Sequence, residues 1–258
     1  MGGFYSELKR WNGATWSSPV RLEPGTNIWD IWGPPDAPDV WLVGPNYPDW
    51  STAILHWNGT EFVPSTGETL SDPPSPASIW GPSKDDVWAL DYFGGRVFRF
   101  DGQLWRVGAT PAETGGLSAI WGTSRNNAWA VGVGGIPRHW NGAYWSSSSA
   151  LQHSITSLWG QGQDLWAVGT YGTILHRTKL GWLPAGEPQT AQTLSGVSGS
   201  SPKDIWMVGA GGILVHWDGK WLSSWQSIVS KDLYAVWALE SDRFADLWIT
   251  GDNGTVLT

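Results

Sequence analysis

Short apolar stretches recur along this chain in a fixed order, each closed by glycine and set apart by polar turns. One line reads Ile31-Trp32-Gly33, then Asp39-Val40-Trp41-Leu42-Val43-Gly44, then Ile54-Leu55-His56-Trp57-Asn58-Gly59. The order returns at Ile120-Trp121-Gly122, Ala128-Trp129-Ala130-Val131-Gly132 and His139-Trp140-Asn141-Gly142, again from Leu158 and Val197, and more weakly from Ile79 and Val236. Each stretch holds four to six residues, β-branched or aromatic, and reads as a short buried strand. The second tryptophan of the unit falls at 41, 88, 129, 166, 206 and 248, so the period runs from 37 to 47. That window suits propeller blades and some helical repeats. No run of ten residues keeps a helical period free of Gly and Pro, which excludes the helical class.

Each unit supplies four strands, A to D. Strand A carries the first tryptophan, strand B follows an acidic residue, strand C is the Ile-Leu-His run, and strand D carries a tryptophan such as Trp16 or Trp145. Asn-Gly or Asp-Gly stands between C and D at 12–13, 58–59, 101–102, 141–142 and 218–219, supplying the positive φ values of a tight hairpin. Strand B occurs six times. The pattern therefore predicts an all-β fold, a six-bladed β-propeller of four-stranded antiparallel blades in one domain, 1–258. The units cover approximately 28–62, 76–105, 117–145, 155–182, 194–221 and 233–258, the last completed by 4–18. The N- and C-terminal strands are thus expected to share one blade and remove free edges, with the C-terminal strand inside and the N-terminus outermost.

Composition supports strands and turns: the chain has 34 Gly, 17 Pro and two Met. Twenty of the 23 tryptophans fall on the strand positions, and a periodic indole is core by default. A formal charge of −8 argues against nucleic acid, which needs a basic face. No apolar run reaches the length of a membrane span. The first residues, Met1-Gly2-Gly3-Phe4-Tyr5, carry no basic or apolar run of the signal-peptide kind, so the expectation is either a cytoplasmic protein or one whose leader has been removed. The absence of cysteine removes disulfides, thiol catalysis and thiolate metal sites.

The stretches Asp164-Leu165-Trp166-Ala167-Val168-Gly169 and Gly172-Thr173-Ile174-Leu175-His176 resemble a tryptophan-rich propeller repeat found in largely uncharacterised bacterial surface and secreted proteins. The resemblance covers nearly the whole chain. It implies a propeller and an extracellular or cell-surface location. The C–D turn is also similar to a shortened form of the Asp-box hairpin of sialidase-like propellers, lacking its polar lead and spacer. Six-bladed lectins are a more distant likeness, resting on blade number and aromatic richness.

Ahead of the strand C aromatic stands His56, His139, His176 or His216 in four units, but Arg10 or Arg99 in the other two. Arginine does not ligate metal, so the shared property is an N–H donor. An acid opens strand B at Asp39, Asp86, Asp164, Asp204 and Asp246, with Asn127 in the remaining unit. The two positions suggest a repeated clamp: His56 with Asp39, Arg99 with Asp86, His176 with Asp164, His216 with Asp204. One carboxylate per unit is too few for calcium. No metal, cofactor or catalytic residue is assigned, because no nucleophile elbow or carboxylate pair stands out and His153 alone lies off the repeat register.

Three tryptophans lie off register. Trp50 sits in a long B–C loop with Asn46, Tyr47 and Asp49; Trp29 enters strand A; Trp225 follows strand D in the D–A connection. Tyr92, Phe93 and Tyr171 occupy B–C loops as well, and B–C and D–A loops share one face of an up-and-down blade. Asp91 and Asp252 stand near as hydrogen-bonding neighbours. These residues make a candidate ligand face on a non-enzymatic binding module of the lectin or adhesin kind, taking a glycan. The alternative is a protein–protein scaffold whose hot spots are the same rings. A hydrolase or lyase of sialidase-like type ranks below both.

Overall fold

Strand B shows best why these residues form blades. Trp41–Pro45 is buried at every position, and Asp86–Asp91, Asn127–Gly132 and Asp164–Gly169 at every position after the first. A strand packed on both faces has no polar side, so it reads as continuous apolar sequence rather than as alternation. The chain, seen in a computed structural model, is a six-bladed β-propeller described over residues 6–12, 14–34, 38–46, 52–65, 76–111, 115–186, 189–239 and 246–258. Within it the backbone forms two compact units, 1–117 with 124–126 and 142–145, and 118–123 with 127–141 and 146–258.

Blades 1 to 5 are four-stranded antiparallel meanders. Their strands A to D are Asp30–Trp32, Trp41–Pro45, Thr52–Trp57 and Phe62–Pro64; Pro76–Ser83, Asp86–Asp91, Val97–Phe100 and Trp105–Val107; Leu117–Ser124, Asn127–Gly132, Arg138–Trp140 and Trp145–Ser147; Ile155–Gln161, Asp164–Gly169, Ile174–Thr178 and Gly181–Pro184; and Leu194–Ser201, Asp204–Gly209, Ile213–Trp217 and Leu222–Gln226. Blade 6 contributes strands A, B and C, Leu233–Leu239, Asp246–Gly251 and Thr255–Leu257. The N-terminal residues, expected as that blade's outer strand, pair with one another: Glu7 lies opposite Arg21, and Trp11 bridges Trp16. No helix of the described residues is long and apolar enough to cross a membrane.

The core lies between blades rather than within them. Trp166, Val168 and Ile174 of blade 4 pack with Leu194, Val197, Ile205 and Met207 of blade 5, and Trp41, Val43 and Ile54 of blade 1 pack with Ile79, Ala89 and Phe98 of blade 2. The glycine after the strand A tryptophan belongs to the same interface. A Cβ added at Gly160 would lie 2.9 Å from the Trp121 ring of the preceding blade, and one at Gly199 would lie 2.9 Å from Trp159. Trp32, Trp121 and Trp159 are thus each seated on the strand A glycine of the next blade, which in blade 5 follows Ser198 instead of a tryptophan.

The C–D turns differ from expectation in one respect. Gly59, Gly102, Gly142 and Gly219 have φ between 88° and 100°, whereas the residue before each keeps the ordinary negative φ. Its side chain does the work: Asn58 Oδ1 accepts the N–H groups of Thr60 and Glu61, and Asp101 Oδ1 those of Gln103 and Leu104. This is the Asx turn, in which a short side chain mimics a backbone carbonyl. The Leu104 N–H, then the Arg106 guanidinium and the Gln103 N–H, hold the Asp101 carboxyl down at about 2.

Candidate functional site

At the B–C hairpin of each clamped blade, three groups meet. His56 Nε2 lies 2.6 Å from Asp39 Oδ1, His176 Nε2 2.9 Å from Asp164 Oδ1, and His216 Nε2 2.6 Å from Asp204 Oδ1. In blade 2 Arg99 donates twice to Asp86, each time at 2.6 Å. His139 Nε2 sits 2.6 Å from Asn127 Oδ1, whose amide donates in turn to Thr123. Burial and the nearby Arg177 guanidinium hold His139 below the ordinary histidine value.

The third member was not foreseen from the sequence. The indole N–H of Trp88, Trp166 and Trp206 donates to the aspartate two residues before it, at 2.9–3.1 Å. The signal was an Asp-x-Trp spacing, which puts both side chains on one side of a strand. The histidine then lies flat on that indole across the ladder, with centroids 4.1–4.5 Å apart in all four histidine blades, and Arg99 takes the same place over Trp88. In blades 2, 4 and 5 these side chains satisfy one another, whereas in blade 1 the Trp41 indole N–H is buried without a hydrogen-bond partner among the described residues. Among the described residues no three His, Asp or Glu side chains gather to hold a metal ion.

The loop face is different. In the first compact unit Trp29 meets Tyr92 edge-on at 6.1 Å, and Tyr92 meets Phe93 edge-on at 5.1 Å. Phe93 is 66 % exposed, and Trp29 and Tyr92 are exposed beside it. Asp91, expected to meet ligand hydroxyls, is 1 % exposed and turned inward, where it accepts from Arg96 Nε at 2.8 Å and from the Phe93 N–H. A buried carboxylate needs such partners, and here they set the loop that presents Tyr92 and Phe93. Asn46 bridges Thr26, while Tyr47, Asp49 and Trp50 lie outside the described residues.

In the second unit Tyr171 is 68 % exposed and its ring lies 4.9 Å from His153, so the one off-register histidine belongs to this face. Tyr171 holds φ at 54°, a left-handed conformation filled by Gly134, Gly211 and Asn253 at the same loop position elsewhere. A bulky side chain there is strained. Tyr234, also absent from the sequence reading, donates its hydroxyl to Asp252 at 2.6 Å, which holds its ionisation above the usual tyrosine value. Trp225 is not a loop residue. Strand D of blade 5 runs on to Gln226, so Trp225 pairs with Leu214 and packs edge-on against Trp206.

No family model matches the chain, and no curated protein matches it in sequence. Solved structures share its fold. YCF48 bound to D1 peptide superposes with a TM-score of 0.71 at 16 % identity, over 98 % of this chain and 85 % of that one. A catalytically inactive virginiamycin B lyase from Staphylococcus aureus with quinupristin gives 0.72 at 13 %, covering 99 % and 88 %. The WD40 repeats of RRP9 give 0.65 at 12 %, covering 90 % and 79 %.

Proposed function

We propose that this chain is a non-enzymatic interaction module that binds a protein or peptide through its B–C loop face. The observation that carries the reading is the joined Trp29–Tyr92–Phe93 cluster, in which three exposed aromatic rings meet at one place, an arrangement that no other loop repeats among the described residues. The matching loop of blade 3 offers Val133-Gly134-Gly135, and that of blade 5 offers Ala210-Gly211-Gly212. Sugar sites on a repeat protein should recur from blade to blade, whereas a protein epitope is one lopsided patch. Rigid aromatic side chains are also the residue class in which interface energy concentrates. The company of YCF48 with its peptide and of a WD40 array supports the same reading.

Panning a random-peptide phage library on the folded chain tests it. Peptides should be recovered whose affinity falls at least about tenfold on Phe93→Ala, the loss of a hot-spot ring. Selective glycan binding lost in that same variant would replace the protein reading with the carbohydrate one.

A further inference from the structure

We infer that the Trp29–Tyr92–Phe93 cluster is a cation site, which seats an arginine side chain of a basic partner segment on its ring faces. This site is the loop face already proposed for a protein partner, so it rests on that reading and adds the partner's chemistry. All three rings belong to the first compact unit, Trp29 just ahead of strand A of blade 1 and Tyr92 and Phe93 in the B–C loop of blade 2.

Tyr92 stands at 81° to Trp29 and at 86° to Phe93, so the three rings are not stacked face to face. An aromatic face carries the negative part of the ring quadrupole and attracts a cation placed over it. The chain makes that contact itself: the Arg99 guanidinium lies 4.7 Å from the Trp88 ring centroid, and Arg177 lies 4.7 Å from that of Trp129. The loop bearing Tyr92 and Phe93 is also fixed. The Asp91 N–H donates to the Arg96 carbonyl at 2.9 Å, and the Gly95 N–H donates to the Asp91 carbonyl at 3.1 Å. Its rings therefore meet a guest with little ordering left to do.

Charge selects the guest. The first unit carries fourteen acidic and eight basic residues, a formal charge of −6, whereas nine acidic and seven basic residues leave the second at −2. An aspartate adjoins the rings in each segment: Asp30 follows Trp29, and Asp91 precedes Tyr92. Asp30 accepts from neutral donors, the Ser78 hydroxyl and the Ile31 and Ile79 N–H groups. The loop's own cation is committed elsewhere, since Arg96 donates to Asp91 at 2.8 Å and lies over the Phe98 ring at 5.4 Å. A partner's cation thus meets open ring faces in a negative field. Arginine fits them better than lysine, because a planar guanidinium stacks on a ring and gives up its water more readily than an ammonium does.

A dye-labelled decapeptide of alternating arginine and glycine serves as the probe. Beside it stand its citrulline twin, which keeps the planar group and loses the charge, and a decaproline. Titrated with the full chain at physiological ionic strength and followed by fluorescence anisotropy, the arginine peptide should bind saturably. The citrulline and proline peptides should bind at least about tenfold more weakly. Phe93→Leu keeps an apolar side chain but removes the ring, so it should weaken the arginine peptide about two- to fivefold, as Phe93→Ala does. Phe93 is exposed, and both variants should keep the wild-type melting temperature. Binding that ignores both variants overturns the proposal by assigning it to bulk charge. Full affinity in Phe93→Leu, or equal binding of the citrulline or proline peptide, overturns it by assigning the rings to a neutral segment, and so does the absence of binding at millimolar peptide. In each of these cases, panned peptides that depend on Phe93 yet carry no arginine would leave the protein-binding face standing and remove only its cation site.

Discussion

The Trp166 indole and the His176 imidazole lie face to face across paired strands, 4.5 Å apart and 14° from parallel, and both reach the carboxylate of Asp164. One aspartate thus orients two rings, and each ring shields the other's hydrogen bond from water. The repeated unit is a triad of aspartate, tryptophan and a planar donor.

That triad sorts substitutions at position 176. Arginine should be tolerated within about 1 kcal/mol, because Arg99 already plays the part over Trp88. Leucine leaves the carboxylate short of a donor and should cost about 1–3 kcal/mol. Urea unfolding of His176→Arg and His176→Leu measures both, and equal losses would mean that stacking alone matters.

Asp30 makes stability depend on pH. Its carboxylate accepts from the Ser78 hydroxyl and the Ile79 N–H of the next blade, yet burial outweighs these bonds and pushes its pKa up to about 6. A raised carboxyl pKa means the folded state holds the proton more tightly. The contribution is complete below the unfolded value of 3.8 and is lost as pH rises through about 6, with at most about 3 kcal/mol at stake. Asp30→Asn should flatten the unfolding free energy between pH 4 and 8. A slope unchanged in that variant would assign the pH dependence to other groups.

Tyr171 should trade stability for binding. Its left-handed backbone suits Asn, which Asn253 shows at the same loop position. Tyr171→Asn should therefore gain up to about 1 kcal/mol of strain relief while removing an exposed ring from the face. A lower melting temperature would show that contact with His153 outweighs the strain.

Much of the architecture was legible because strand B repeats its tryptophan and glycine so regularly. Legibility stopped where burial depends on the neighbouring blade. Trp166 and Trp221 look alike as repeat members, but one is 1 % exposed and the other 64 %. A ring's fate is set by a blade some forty residues away, which a repeat pattern encodes only on average. Trp225 was misplaced because strand D of blade 5 outruns the others and turns a loop position into an exposed strand position. His153 was visible as the odd histidine, yet nothing in its own segment pointed to Tyr171.

A close backbone approach keeps glycine at the end of strand B. The carbonyl of Ser154, just ahead of strand A, accepts the N–H of Thr170 at 3.0 Å, and Thr193 and Asp232 do the same for Ala210 and Asp252. To reach that donor, the carbonyl crosses the place where the preceding residue's Cβ would stand, so a methyl group at Gly169, Gly209 or Gly251 would collide with Ser154, Thr193 or Asp232. Backbone shape is not the reason, since φ at Gly169 is −166°, which any residue adopts. Gly169→Ala must push the carbonyl away and strand both hydrogen-bonding groups, for a loss of about 2–4 kcal/mol. Gly162→Ala is the control: its φ of +64° costs an alanine only about 1–2 kcal/mol, and its surroundings are open. Denaturant melts of the two variants should rank Gly169→Ala below Gly162→Ala, and the reverse order would mean that conformational freedom, not close approach, keeps glycine at the end of strand B.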